Sequence, residues 1–275
     1  MRHFYRIQVI WNKQADIKYR NGKPAGRQRI NMSGWKKQRW LLGMLGLLCC
    51  LAALYGRTQK IETDGKAEVQ ILNREDTETA HPENMEEGER ETKKIALTFD
   101  DGPHPVYTEQ MLEVLEEAQV PATFFLLGQN IEGHEELVKE IAEKGHLIGN
   151  HTFHHVQITG LPKEKACEEI EETSQLIEEL TGKGTEYVRP PFGTWNEGLE
   201  SSLDLIPVMW TIDTLDWTTQ NVDSIVEHVV KNVGENDIIL MHDSYKSTVQ
   251  ATERIISLLK AEGFEFVTVD EVLFD

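Results

Sequence analysis

Residues 93–128, KKIALTFDDGPHPVYTEQMLEVLEEAQVPATFFLLG, decide the fold. The run Ile95–Phe99 is short, apolar and closed by Asp100-Asp101-Gly102-Pro103, so it reads as a buried strand ending in turn formers. From Thr108 to Ala118 the period changes. Met111, Leu112, Leu115 and Ala118 fall at i, i+1, i+4 and i+7, which puts one apolar stripe on a helix. A second β-rich run, Ala122–Leu127, follows. The alternation then continues to the end of the chain. Further β-rich runs are His146–Gly149, Tyr187–Arg189, Pro207–Ile212, Asp237–Met241 and Phe264–Val269. Amphipathic runs at Glu135–Lys144, Lys163–Leu180, Asn196–Leu203, Val222–Asn232 and Val249–Ala261 separate them. Gly145, Gly182 and Gly263 stand one or two residues after three of these helices, where a left-handed stop favours glycine. About seven strand–helix units predict an α/β fold with a parallel sheet and right-handed crossovers. An open doubly wound sheet and a small (β/α) barrel both satisfy the pattern.

Charge divides the rest of the chain. Among 275 residues, 28 Lys and Arg face 47 Asp and Glu, a formal net charge of −19. That disfavours nucleic acid as a partner, which needs a basic face. Hydrophobic content of 39% is ordinary for a globular protein. Three cysteines (Cys49, Cys50 and Cys167) imply no disulfide framework and exclude a four-thiolate zinc site. Residues 1–39 hold eleven basic side chains and one acid. Residues 40–55, WLLGMLGLLCCLAALY, carry no charge. As a helix they would span about 24 Å, somewhat less than a hydrocarbon core of about 30 Å. Trp40 and Tyr55 stand at its ends, and Lys36, Lys37 and Arg39 precede it. Interfacial aromatics and the positive-inside rule predict a retained, single-pass signal anchor in the cell membrane, a cytoplasmic basic tail at 1–39, and everything after it outside. A cleaved signal peptide fits less well, because the basic lead is long and no small-x-small site follows. A buried core helix fits less well, because there is no polar face. Residues 56–92 contain eleven acids, five bases and few large apolar side chains. They predict an acidic, flexible linker that reaches roughly 35 Å. The folded domain is expected over 93–275.

The reactive side chains cluster at one end of the expected strands. Asp100 and Asp101 follow the first, His151 and His155 the third, Arg189 ends the fourth, Asp213 follows the fifth and His242 the sixth. In a barrel the carboxyl ends of the strands share one rim, where the βα loops build active sites. One carboxylate and two imidazoles make a three-ligand site with open positions, suited to Zn2+ or a similar divalent ion. A second carboxylate beside it could take a proton from water, and a separate imidazole could protonate a leaving group. Hydrolysis of an amide or ester needs those parts.

Five ordered motifs carry a family resemblance: Thr98-Phe-Asp-Asp-Gly-Pro103, His151-Thr-Phe-His-His155, Arg189-Pro-Pro-Phe-Gly193, Asp213-Thr-Leu-Asp-Trp217 and Leu240-Met-His242. Over residues 93–275 the sequence resembles the polysaccharide deacetylases with a NodB homology domain, carbohydrate esterase family 4. The resemblance implies a distorted (β/α) barrel and divalent-metal-dependent removal of acetyl groups from a polysaccharide. Zn2+ is the expected ion, with Co2+ as an alternative. Position by position, it implies Asp100 as catalytic base, Asp101, His151 and His155 as metal ligands, and Arg189 as the group orienting the base. It implies His242 as general acid tuned by Asp213, a Phe192 backbone N–H for the oxyanion, and Trp217 and Leu240 as walls of the acetyl pocket. Family members often have Tyr where Phe192 stands, a change that spares a backbone donor.

Other residues near the motifs have simpler explanations. Asp216 and Asp243 read as solvated or hydrogen-bonding residues, and His154 as a packing or capping one. His104 and Tyr245 fit a loop as well as a glycan groove, and Trp195 fits packing as well as sugar stacking. Glu168, Glu169, Glu171 and Glu172 read as a solvated helix face, and Cys167 as an inert thiol. The topology points the domain at the cell wall, so the expected substrate is peptidoglycan N-acetylglucosamine. Chitooligosaccharide, xylan ester and exopolysaccharide are the alternative substrates, and a non-catalytic glycan-binding protein of the same fold is the alternative class.

Overall fold

A computed structural model describes residues 93–195, 197–200 and 202–274. The expected basic tail, membrane anchor at 40–55 and linker at 56–92 lie outside them. No helix among the described residues is long and apolar enough to cross a membrane.

The strands and helices alternate as the sequence predicts. β1 (Lys93–Gly102) leads into α1 (Tyr107–Ala118), then β2 (Thr123–Leu126), α2 (Gly128–Ile131), α3 (Glu135–Glu143) and β3 (Leu147–Asn150). α4 (Lys163–Thr181) precedes β4 (Tyr187–Val188), and the short α5 (Glu197–Glu200) precedes β5 (Ile206–Pro207) and β6 (Ile212–Asp213). α6 (Asp216–Thr219), α7 (Val222–Asn232), β7 (Ile238–His242), α8 (Lys246–Ala261), β8 (Phe264–Val267) and α9 (Val269–Phe274) complete the domain. Gly145, Gly182 and Gly263 all take the positive φ expected of helix stops.

Eight parallel strands make one sheet in the order β5-β4-β3-β2-β1-β7-β6, with β8 paired to the first residues of β1. The expected count was about seven. The difference is the run expected as one strand at Pro207–Ile212, which pairs only at its two ends. Between those ends, the Val208 and Met209 carbonyls accept from the Arg189 guanidinium at 3.2 and 3.3 Å, in place of a neighbouring strand. β5 and β6 form no ladder with each other, so the sheet is a curled, incomplete barrel. The curl is visible in one contact. β1 and β4 are three places apart in the sheet, about 14 Å if it were flat. Yet Arg189, directly after β4, reaches Asp100 of β1 at 2.8 Å.

Period-two alternation then sorts the side chains. Ile95, Leu97 and Phe99 of β1 pack in the same large core cluster as Phe124 and Leu126 of β2, Ile239 and Met241 of β7, and the apolar faces of α1, α3, α7 and α8. Ala96 points to the other face, with Phe125, Ile206, Val208 and Ile238. Thr98 and Asp100 share that inner phase with Ala96, as Leu240 and His242 share it with Ile238. The barrel interior is thus apolar at its base and polar at its carboxyl rim. Phe125 fills the middle. Its ring covers Gly149, where a Cβ would meet it at 2.4 Å, and its face lies under the Arg189 guanidinium at 4.1 Å.

Candidate active site

The β1–β7 register sets Asp100 directly beside His242. In a regular strand the next residue, Asp101, would point the other way. The β1–β2 pairing slips between Asp100 and Gly102, and Asp101 takes φ +70°. This local irregularity turns the second carboxylate back toward the first, the re-aiming use of a bulge. Asn130 of α2 fixes the turn by donating from Nδ2 to the Asp101 carbonyl at 2.7 Å.

The loop after β3 brings the two histidines. Asn150, the last residue of β3, donates from Nδ2 to Ile170 and Ser174 and accepts from the Thr152 N–H through Oδ1 at 2.7 Å. That braces a loop in which Thr152 and His155 both have positive φ. The Nε2 atoms of His151 and His155 lie 3.4 and 3.5 Å from Asp101 Oδ1. His154 turns away and binds Glu169 through Nδ1 at 2.9 Å.

These three side chains form the one group of metal-type donors close enough to share an ion among the described residues. The chemistry of the set fits a divalent cation. His151 donates from Nδ1 to the Arg189 carbonyl at 2.6 Å, which leaves a lone pair on Nε2. Burial holds the His155 ring below its ordinary pKa against the opposing charge of Asp101, so a neutral imidazole is favoured. Asp101 Oδ1 is buried with no hydrogen-bond partner. Burial works to raise this carboxyl, but His151 beside it, with His242 and His155, outweighs burial and holds it below the ordinary carboxylate range. An anionic oxygen and two ring nitrogens converge where nothing in the protein satisfies the oxygen.

Arg189 is wholly buried and answers the other carboxylate. Its Nη1 donates to Asp100 Oδ1 at 2.8 Å and to Thr98 Oγ1 at 2.6 Å. Asp100 Oδ2 is left on the side of His151, 3.8 Å from Nε2. Across the cleft, His242 donates from Nδ1 to Asp216 Oδ1 at 2.8 Å. Burial opposes its charged form, but Asp216, then Asp100 and Asp101, outweigh burial and push the ring up to about 9. Asp216 also accepts from the His242 and Trp217 backbone N–H groups and from Thr248 Oγ1.

Asp100, Asp101, His151, His155 and His242 line one cleft of about 440 Å³, with Arg189 and Asp216 buried behind them. Its rim is aromatic. Phe192 and Trp217 are 64% and 51% exposed, suited to stacking on a sugar face.

A family model described as polysaccharide deacetylase matches residues 87–206. A peptidoglycan-N-acetylglucosamine deacetylase of Bacillus cereus is 39% identical over 189 residues, covering 66% of this chain and 88% of the relative. The chain belongs to the polysaccharide deacetylase family. A chitooligosaccharide deacetylase of Rhizobium leguminosarum bv. trifolii is 40% identical over 163 residues, 58% of this chain and 75% of that protein. The Bacillus subtilis peptidoglycan-N-acetylmuramic acid deacetylase PdaC is 36% identical over 180 residues, 66% of this chain. The chain spans only 38% of that protein's length. The solved PdaC structure superposes with a TM-score of 0.65, 36% identity, and coverage of 66% of this chain and 90% of that one.

Measured against the family motifs, every expected site residue lies at the cleft or directly behind it. Asp213, Trp217, Leu240 and Phe192 line it, and Arg189 stands behind Asp100. One pairing needs correction. The carboxylate on His242 is Asp216, expected only as a solvated or hydrogen-bonding residue. Asp213 instead accepts from the Leu215 N–H at 3.0 Å. The two aspartates stand three apart in one motif, and only the turn into α6 decides which is buried. Trp210, expected as strand, also lines the cleft. No sequence signal marked it.

Proposed function

We propose that this chain is a membrane-anchored, extracytoplasmic deacetylase that removes N-acetyl groups from a cell-wall polysaccharide, with peptidoglycan N-acetylglucosamine as substrate. The observation that carries the reading is the arrangement of one cleft. A carboxylate fixed by a buried arginine faces a carboxylate-backed histidine across a three-donor cation site. The relatives named for peptidoglycan support the substrate class. The basic tail followed by an uncharged run at 40–55 supports the location.

Asp101, His151 and His155 would hold the ion, for which we assign Zn2+, with Co2+ as a functional substitute. When bound, it supplies Lewis acidity, polarising the acetyl carbonyl and acidifying water. The protein's own groups do the rest. Asp100 takes the proton of the attacking water, and Arg189 keeps its oxygen aimed by occupying the other one. His242, protonated through neutral pH by Asp216, gives its proton to the departing sugar nitrogen. The Phe192 N–H adds a donor for the oxyanion. Trp217 and Leu240 enclose the acetyl methyl.

The test is acetate release from purified peptidoglycan, with and without chelator. Asp100→Asn is expected to abolish turnover while retaining metal, and His155→Ala to lose metal affinity about 10- to 100-fold or more. Normal turnover in Asp100→Asn overturns the assignment of the base. The relationship to the Rhizobium enzyme favours one second reading, chitooligosaccharide as substrate. Comparing both glycans in the same assay decides between them.

A further inference from the structure

The cleft does not end at the reacting centre. Tyr245 lines it on one side and a second depression of about 390 Å³ on the other. That volume lies within the range of small-ligand pockets. Its walls carry the hydrogen-bonding groups sugars use: the amides of Gln220 and Gln250, the hydroxyls of Ser244, Ser247 and Tyr245, and the ammonium of Lys246. No carboxylate lines it, although residues 93–275 contain 35 acids and only 12 bases. Lys139, Lys144, Lys165, Arg189, Lys231 and Arg254 are each paired with an acid. Lys246 is exposed and has no such partner among the described residues; the same holds for Lys163, Lys183 and Lys260, but of these only Lys246 lines the depression. A groove that must accept an anion in an acidic protein needs this composition: a free cation, neutral donors and no competing carboxylate.

We propose that this depression is a neighbouring-sugar subsite that selects a glycan carrying a carboxylate, and that Lys246 recognises that carboxylate. The inference rests on the deacetylase reading and sharpens it. The sugar next to the reacting one in the glycan chain would be a muramic acid residue free of its stem peptide, because only then is the lactyl carboxyl a charged carboxylate and not an amide. A neutral chain such as chitooligosaccharide would occupy the same groove without using Lys246.

The probe is a peptidoglycan-derived tetrasaccharide with free muramyl carboxylates, compared with its methyl ester and with chitotetraose. In Lys246→Gln we expect KM for the acid to rise about five- to tenfold relative to the ester, with kcat held. Lys246→Arg is expected to restore the wild-type ratio. The proposal is overturned if the acid and ester KM values move together, or if neither moves. Calorimetric binding of the same three glycans to metal-loaded Asp100→Asn, with and without Lys246→Gln, provides a second arm. Should wild-type enzyme release acetate from no glycan, the deacetylase reading fails. The calorimetry still decides the subsite, since a preference for acid over ester that Lys246→Gln removes supports it and equal binding refutes it.

Discussion

Replacing Asp216 with Asn tests the acid side of the mechanism. The wild-type carboxylate is buried and accepts four hydrogen bonds, two on each oxygen. An amide offers one oxygen. If that oxygen keeps the His242 N–H and Thr248 hydroxyl, the NH2 faces His242 Nδ1 and forces the ring neutral. If it turns round, two donors confront the backbone N–H and the hydroxyl. In either state the charge that raises His242 to about 9 is lost. A return toward the ordinary value near 6.5 is a change of about 2.5 units, or about 3 kcal/mol of support for the protonated ring. At pH 8 the protonated fraction would fall from about nine-tenths to about three-hundredths, roughly 30-fold. The assay is kcat/KM for acetate release from pH 5 to 10. The variant should keep most of its rate near pH 5.5 and lose it on an alkaline limb displaced downward by about 2.5 units. A bound dication lowers both limbs by its charge, so the displacement between enzymes is the quantity to read. An even loss of rate with the limb in place would refute the reasoning.

Arg189→Met strands a buried Asp100 carboxylate and should cost about 3–5 kcal/mol in urea unfolding, as breaking buried pairs does. A loss below about 1 kcal/mol would mean that the pair carries little of the fold. His146 gives an acid-sensitivity test. Burial holds it down to about 4, so the fold prefers its neutral form. Its contribution is whole above the unfolded value near 6.5 and drains away as pH falls toward 4, by at most about 3 kcal/mol. His146→Gln should therefore flatten the stability profile between those values, followed by thermal unfolding at each pH.

The sequence disclosed the alternation of elements and the carboxyl-end clustering because both follow from period and turn chemistry. Apolar runs of β type, separated by stripes of helical period, leave a parallel sheet as the economical packing, and its loops then share a rim. What it withheld depends on register. Asp100 and His242 point the same way because their strands pair in phase. Asp100 and Asp101 both reach the cleft because of an irregularity at one peptide, which no residue type announces. The choice of Asp216 over Asp213 is a matter of burial. The broken run at 206–213 follows from Arg189 taking carbonyls that a strand would use, a contact between segments some 20 residues apart.

The backbone around the cleft shows what holds the donors in place. Asp101, Thr152, His155, Phe192 and Leu215 all have positive φ, and all lie at or just beyond the carboxyl ends of the strands that build the site. Such conformations cost of order 1–3 kcal/mol each for residues with a Cβ, and they persist only where the surroundings over-determine them. For the two segments that carry the metal-type donors, the constraints come from residues of flanking elements. Asn130 holds the Asp101 carbonyl, Asn150 holds the Thr152 N–H, and the Arg189 carbonyl holds the His151 ring. Each constraint is itself anchored in a strand or helix, or in the loop directly following a strand. The surrounding fold therefore brings the three donors together, with Asp101 Oδ1 buried and without a hydrogen-bond partner in the protein. Loosening Asn130 or Asn150 should thus weaken metal affinity while sparing the donors themselves, which is how positioning groups are told apart from ligands.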